Sequence, residues 1–436
     1  LSKKTGKPVK LMLDRDQELM IAGGRPSDYG KIKVAAAKDG SLTAYESESW
    51  STGGVTSRGA PPLPYVIEPA NTRIRHVNVS TNTGPARAWR APNHPQAAVL
   101  TMCAYEDLAA KLGMDPLKLF KKNVGLTQRP EVYRTELDKA AELMDWPAKW
   151  HPPGKGGSGH VKRGVGISMH TWGGRPHDSQ CRVRIHPDGE VVAELGSQDL
   201  GSGTRTVIGI VAAETMGLPL SAVNVKIGDS NYPPSGPSGG STTVGGVSSS
   251  TRRASVHALE MLKQAVAPSL GTTSDQIEAG GSYLAVKGGS GKLSWKDACR
   301  KLGSSSISET GKQPMRDGGK LADSGVGGVQ MADVSVDTET GIVSMNKMVA
   351  VQDCGLIIDL KTADSQVYGS LIQGICYALW EERIFDQVTG IYLNADMEFY
   401  KLAGIGDIGH VAPHVFTQRL VPRQELRVAQ DDGEQV

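Results

Sequence analysis

The 436-residue chain lacks three things that would each announce a function. It has only five cysteines, Cys103, Cys181, Cys299, Cys354 and Cys376, widely spaced and never in a CxxC pair. That excludes a zinc knuckle or an iron–sulfur cluster of the usual ligand spacing. No run of eighteen apolar residues occurs, which excludes an ordinary membrane-spanning helix. Charge of one sign is missing too: 48 basic and 46 acidic residues leave a net +2, and the basic clusters are as short as Lys121-Lys122 and Arg252-Arg253. A nucleic-acid surface needs a basic stripe, so no nucleic-acid partner is expected. No GxSxG nucleophile motif is present, and the His, Cys, Asp and Glu residues do not cluster as metal ligands. The ends are abrupt. Leu1 opens directly into sequence that reads as domain interior, and Arg419 to Val436 is polar without periodicity, so truncation is expected at both ends and no compartment, cytoplasmic or periplasmic, is assigned.

What is present is a globular, glycine-rich chain long enough for two or three domains. Residues 1–80 alternate in short bursts around Asp39-Gly40, which predicts strand, tight turn, strand. Pro95 opens a helix that Gly113 should close; Asp115-Pro116 caps a second, and Glu136–Met144 predicts a third. The stretch His151 to Gly159 reads as a connector. Beyond it, 164–195 reads as an antiparallel meander, followed by helix 204–216, a strand at Val223–Ile227 and a helix over 247–266. Residues 268–325 read as loop-rich, Met331–Val336 and Ile342–Val351 as a hairpin. In Ser365–Glu382, Val367, Leu371, Ile375 and Leu379 form one stripe and Tyr368, Ile372 and Cys376 widen it, so both faces of that helix are expected to be buried. The fold class is therefore α+β, mixed sheets with packed helices. The segments are 1–150, 160–415 and a polar tail at 416–436.

Two clusters of small residues carry the chemistry. In Gly201-Ser202-Gly203-Thr204-Arg205-Thr206 the glycines allow close approach, and the following helix would aim free amides at an anion over the turn. A plain capped turn is the competing reading. Gly236 to Thr243, containing Gly239, Gly240, Ser241, Thr242 and Thr243, again precedes a helix and is rich enough in glycine and hydroxyls to form an anion-holding nest. Arg90, in Trp89-Arg90-Ala91-Pro92, offers a guanidinium. Other motifs fail on context. Gly404 to Gly409 satisfies GxGxxG, but His410, Pro413 and His414 follow where a dinucleotide fold needs a helix. Gly288-Gly289-Ser290-Gly291-Lys292 lacks the Walker spacing.

Five stretches, TGKPVKLMLDRDQE (5–18), RAPNHPQAAVLTMCAYEDLAAKLGMDPLKLFKKN (90–123), GSQDLGSGTRTVIGIVAAETMG (196–217), GDSNYPPSGPSGGSTT (228–243) and VQDCGLIIDLKTADSQVYGSLIQGICYALWEE (351–382), occur in an order that resembles the molybdopterin-binding large subunit of the xanthine dehydrogenase and aldehyde oxidase family, in its bacterial separate-subunit branch. The resemblance implies a molybdenum–molybdopterin cofactor, plain or in its cytosine dinucleotide form, whose own sulfurs bind the metal so that the protein supplies no metal ligand. It implies a small-molecule substrate, aldehyde or N-heterocycle, with oxygen taken from water. Because the chain carries no cluster or flavin motif, it also implies a separate [2Fe-2S] subunit and an FAD subunit or other acceptor. By the same resemblance Arg90 lies beside the metal, and Gly201, Ser202, Gly203 and Thr204 form the loop near it. Gly239 to Thr243 hold pterin or phosphate, and Gln366, ahead of Gln373, hydrogen-bonds the pterin.

Two departures stand out. Ser202 occupies the place of a glutamine in the xanthine-oxidising members, so purine specificity is not inferred. The family's glutamate base sits in a Gly-x-Gly-Glu-like loop beyond the element seen here at Tyr400–Gly404, and no such loop follows. Glu425 and Glu434 lack the glycine context and Asp407 lies in an earlier segment, so no catalytic residue is named. The chain by itself is expected to be inactive or severely impaired; the alternative is a truncated, catalytically inactive subunit with a structural or assembly role.

Overall fold

The computed structural model describes residues 1–56, 59–315 and 326–416. The polar tail from 417 on, with Glu425 and Glu434, and Gly318-Gly319 lie outside the described residues. Helices and mixed sheets make up the described residues, and three of the four sheets among them combine antiparallel with parallel pairs.

Two compact units interleave along the chain. One contains Leu1–Trp172, Gly327–Cys354 and the described residues from Val367; the other contains the described part of Gly173–Val326 and Gly355–Gln366. Each unit thus draws on residues far apart in the sequence. Long-range strand pairing is the reason: in the first unit Val161–Trp172 lies at the edge of a sheet with Val326–Asp337, Val343–Asp353 and His410–Val415.

The first unit also holds a three-stranded sheet of Ser27–Ala36, Leu42–Thr52 and Asn71–Val79. Between the sheets lie the helices His94–Lys111, Pro116–Asn123 and Pro130–Met144. Local chemistry starts them as anticipated: the Asp115 carboxylate accepts from the Leu117 amide at 2.9 Å just ahead of Pro116. Their apolar faces meet in a core built on Tyr45, Tyr105, Phe120, Leu137, Trp146 and Met169. On His94–Lys111, Glu106 reaches the edge strand and accepts from the Ile167 amide at 2.8 Å. Burial outweighs that hydrogen bond and pushes its carboxyl up to about 7.

The second unit packs the helices Thr204–Met216 and Thr243–Leu270 on a four-stranded sheet in the order Ile307–Gln313, Ser179–Ile185, Val191–Leu195, Val223–Ile227. Val191–Leu195 is buried throughout, as a central strand covered on both faces must be.

Three expectations are corrected. Strand Val161–Trp172 does not continue into a meander with Ser179–Ile185, because it pairs with Val326–Asp337 in another sheet. The stretch 268–325 is not loop in its described part: it holds the antiparallel strands Ile277–Gly280, Tyr283–Val286 and Lys292–Ser294, helix Trp295–Arg300 and strand Ile307–Gln313. Each of these short elements buries only a few apolar residues, such as Ile277, Leu284, Trp295 and Ile307, too few to produce visible periodicity. The late helix runs Leu360–Leu379 and buries only Val367, Leu371, Ile375 and Cys376. Tyr368 is 43% exposed and Tyr377 36%, so one face is buried rather than both.

Candidate functional site

In the second unit the chain leaves strand Val191–Leu195, turns through Gly196 to Gly203 and enters helix Thr204–Met216. Gly203 adopts φ +79° beside Thr362, where a Cβ would come within 2.6 Å of the threonine methyl; only glycine fits. The free amides anticipated at this turn are taken. The Asp199 carboxylate accepts from the amides of Gly201 at 3.0 Å, Gly203 at 3.2 Å and Arg205 at 3.1 Å. Desolvation alone would raise the Asp199 pKa, yet the backbone donors outweigh it and hold the carboxyl below its usual value. The anion on this helix terminus is the protein's own side chain, which corrects the expectation of an open anion hole at Gly201–Thr204.

The second turn is different. It is joined to the first through Gln198, whose side-chain oxygen accepts from the Ser238 amide at 3.2 Å and whose carbonyl accepts from the Ser238 hydroxyl at 3.1 Å. The two glycine-rich turns therefore meet in space. Gly240 and Ser241 are both left-handed, φ +64° and +58°, and among the described residues the amides of Gly239, Gly240 and Ser241 have no protein partner. Three successive unpaired amides at the start of the 28-residue helix Thr243–Leu270 form an open anion-holding nest. The Thr242 hydroxyl donates to the Gly239 carbonyl at 2.8 Å and closes the turn.

His177 buttresses this nest from behind. Its Nδ1 lies 3.3 Å from the Pro237 carbonyl and its Nε2 3.1 Å from the Ser235 hydroxyl, which continues to Ser179 and then Ser250, each step 3.1 Å. Burial lowers the His177 pKa, so the ring is neutral, donating at Nδ1 and accepting at Nε2. The ring lies so close to the helix start that a Cβ on Gly246 would come within 2.2 Å of it. On the neighbouring helix Leu360–Leu379, Gln366 lies one turn beyond Thr362, on the side that meets Gly203.

Arg90 belongs to the first unit. Its loop contains two non-glycine residues with positive φ, Ala91 at 54° and Asn93 at 65°. A Cβ on Gly369 would lie 3.5 Å from the Arg90 Nη1, so the guanidinium rests against a bare stretch of helix. Desolvation lowers its pKa, partly opposed by the Tyr377 phenol.

Sequence reading missed Asp199, Gln198 and His177. Asp199 carried a signal, an Asp one turn ahead of a helix; the other two act across long sequence separations that no local pattern reports.

Two molybdopterin cofactor-binding domain models match the chain, over residues 1–124 and 139–409. The chain is 29% identical over 420 residues to the aldehyde oxidoreductase molybdenum-binding subunit PaoC of Escherichia coli (strain K12), covering 92% of this chain and 55% of the relative. It is 28% identical to an aldehyde oxidoreductase of Megalodesulfovibrio gigas, covering 94% of this chain and 48% of that one. The chain thus spans about half the length of the curated relatives it matches. Among solved structures, quinoline 2-oxidoreductase from Pseudomonas putida 86 shares the fold, with a TM-score of 0.82 at 19% identity over 97% of this chain and 59% of that one. With one family model spanning well over half its residues and a second filling most of the remainder, the chain belongs to the molybdopterin cofactor-binding domain family.

Proposed function

We propose that the chain is the cofactor-binding portion of a molybdenum hydroxylase that oxidises aldehydes to carboxylic acids or hydroxylates electron-poor N-heterocycles with oxygen from water. The observation that carries this reading is the open nest at Gly239–Ser241, held against the first turn by Gln198. Its donor set suits the phosphate of a pterin cofactor: three unpaired amides, flanking hydroxyls and a helix N-terminus, with no carboxylate in the nest itself. In this reading Gly239 to Thr243 hold the phosphate end, Gly201 to Thr204 and Gln366 line the pterin, and Arg90 serves the metal end. When bound, the molybdenum–pterin group supplies the redox centre that accepts the substrate's electrons.

The chain's own residues bind and orient. Asp199 locks the first turn, so Ser202 is presented from a rigid loop, and its hydroxyl reaches less far than a glutamine amide would. Purine specificity is therefore not part of the proposal. Electrons pass to a [2Fe-2S] subunit and an FAD subunit or another acceptor. No proton-transfer residue is assigned.

Metal, pterin and nucleotide analysis of protein produced with an intact molybdenum-cofactor supply tests the reading. Molybdenum with stoichiometric pterin is expected, and release of CMP on hydrolysis would identify the cytosine dinucleotide form. Purified protein without molybdenum or pterin would overturn the proposal. Dye-linked oxidation of aromatic aldehydes then separates an active chain from one that holds cofactor for an assembly role, for which retention without turnover is expected.

A further inference from the structure

We propose that Arg25 and Tyr377 are positioning residues that hold Arg90 in its working direction, an inference that rests on the reading that Arg90 faces the cofactor. The loop from Trp89 to His94 needs holding, because Ala91 and Asn93 both sit in the left-handed region that side chains other than glycine avoid. Such a loop persists only where its surroundings over-determine it. Arg25 supplies much of that determination. Its Nη2 donates to the Arg90 carbonyl at 2.6 Å and its Nη1 to the Ala91 carbonyl at 3.3 Å, so one planar fork spans the peptide that follows Arg90. Among the described residues Arg25 has no carboxylate partner; its charge is committed to these two carbonyls.

The other side of the clamp is Tyr377. The Arg25 guanidinium lies over its ring, 5.5 Å from the centroid, and its hydroxyl accepts from the Trp89 indole at 3.1 Å. Tyr377 and Gly369 are on one helix two turns apart, so the helix that anchors the clamp also presents the bare position against which the Arg90 Nη1 rests. Arg25 is itself fixed: Arg383 donates to its carbonyl at 2.8 Å, and the preceding Gly24 accepts from the Arg87 amide at 3.0 Å. The order of support runs from Arg383 to Arg25 to the Arg90 peptide. Lysine at position 25 would keep the charge but lose the fork and the stacking.

Two measurements test this. Hydrogen exchange on the full chain without cofactor reads the clamp: in Arg25→Lys the amides of Trp89, Arg90, Ala91, Asn93 and His94 are expected to exchange about tenfold faster while those of strand Val343–Asp353 stay unchanged. Tyr377→Phe, which keeps the ring, should give a smaller acceleration in the same segment. Unchanged exchange in both variants would overturn the clamp. On cofactor-loaded protein, Arg25→Lys is expected to retain molybdenum yet alter the Mo(V) paramagnetic resonance spectrum in the same sense as Arg90→Lys, with no further change in the double variant. Faster loop exchange with an unaltered spectrum would overturn the positioning role. If the unsubstituted protein takes up no molybdenum, the functional reading fails, and the exchange measurement still decides the clamp.

Discussion

Glu136 is a fully buried carboxyl group. It lies on helix Pro130–Met144 with one oxygen accepting from the Asp353 amide at 2.9 Å and the other without a partner. Burial, reinforced by the nearby Asp353 charge, raises its pKa from 4.5 to about 8, against the opposing pull of that amide and of Arg129, which is paired to Asp353 at 2.6 Å. Because the folded-state value lies above the unfolded one, the folded chain binds more protons between these limits. Its stabilising share is complete below pH 4.5 and is lost as pH rises through about 8. Each factor of ten in proton affinity is worth about 1.4 kcal/mol, so the loss reaches at most about 5 kcal/mol, of which about 3 has accrued by pH 7. Glu136→Gln keeps an acceptor for the Asp353 amide and cannot ionise. Its buried amide group lacks an evident acceptor and costs about 1–3 kcal/mol at every pH, so the slope and not the intercept is informative. Urea unfolding from pH 5 to 8.5 should show the native chain losing up to about 4 kcal/mol more than the variant. Parallel stability curves would refute the argument, since they would mean that Glu136 is already ionised, or hydrated, in the folded protein.

Two further outcomes follow from the site. Asp199→Ala strips the acceptor from the amides of Gly201, Gly203 and Arg205 at the start of helix Thr204–Met216 and is expected to cost about 1–2 kcal/mol in urea unfolding, as loss of a helix cap does. Since its carboxyl is held below the usual value, that stabilisation is present above the unfolded pKa near 3.8 and lost as pH falls through the folded one; a native-minus-variant difference that persists at pH 2 would contradict it. Gly246→Ala drives a methyl into the His177 ring and is expected to cost about 1–3 kcal/mol by thermal unfolding, and to reduce molybdenum content by displacing the nest that His177 supports. Full metal content in a destabilised Gly246→Ala protein would separate the ring from the nest.

Much of the architecture was legible. Caps and breakers that act within a few residues, such as Asp115-Pro116, Gly113 and Asp39-Gly40, mark element ends wherever the chain goes. Residues 268–315 were not legible, because the tight antiparallel strands over 277–294 bury too few apolar residues to show a pattern, and Ile307–Gln313 is a strand through its pairing with the distant Ser179–Ile185. The burial of helix Leu360–Leu379 was over-read for a related reason. An apolar stripe states what could be covered, while the neighbours decide what is, and Tyr368 and Tyr377 remain partly exposed.

The order of glycine-rich segments along the chain is a property of the sequence alone, and it was enough to establish the cofactor family. Which of the two turns is open to a ligand was decided only in three dimensions. Both have the residue types to hold an anion, but Asp199 folds back onto the amides of the first, while the chain path that brings Gln198 to Ser238 leaves the amides of Gly239 to Ser241 unpaired. Composition specifies how many donors exist; only the tertiary path determines which of them the protein itself consumes.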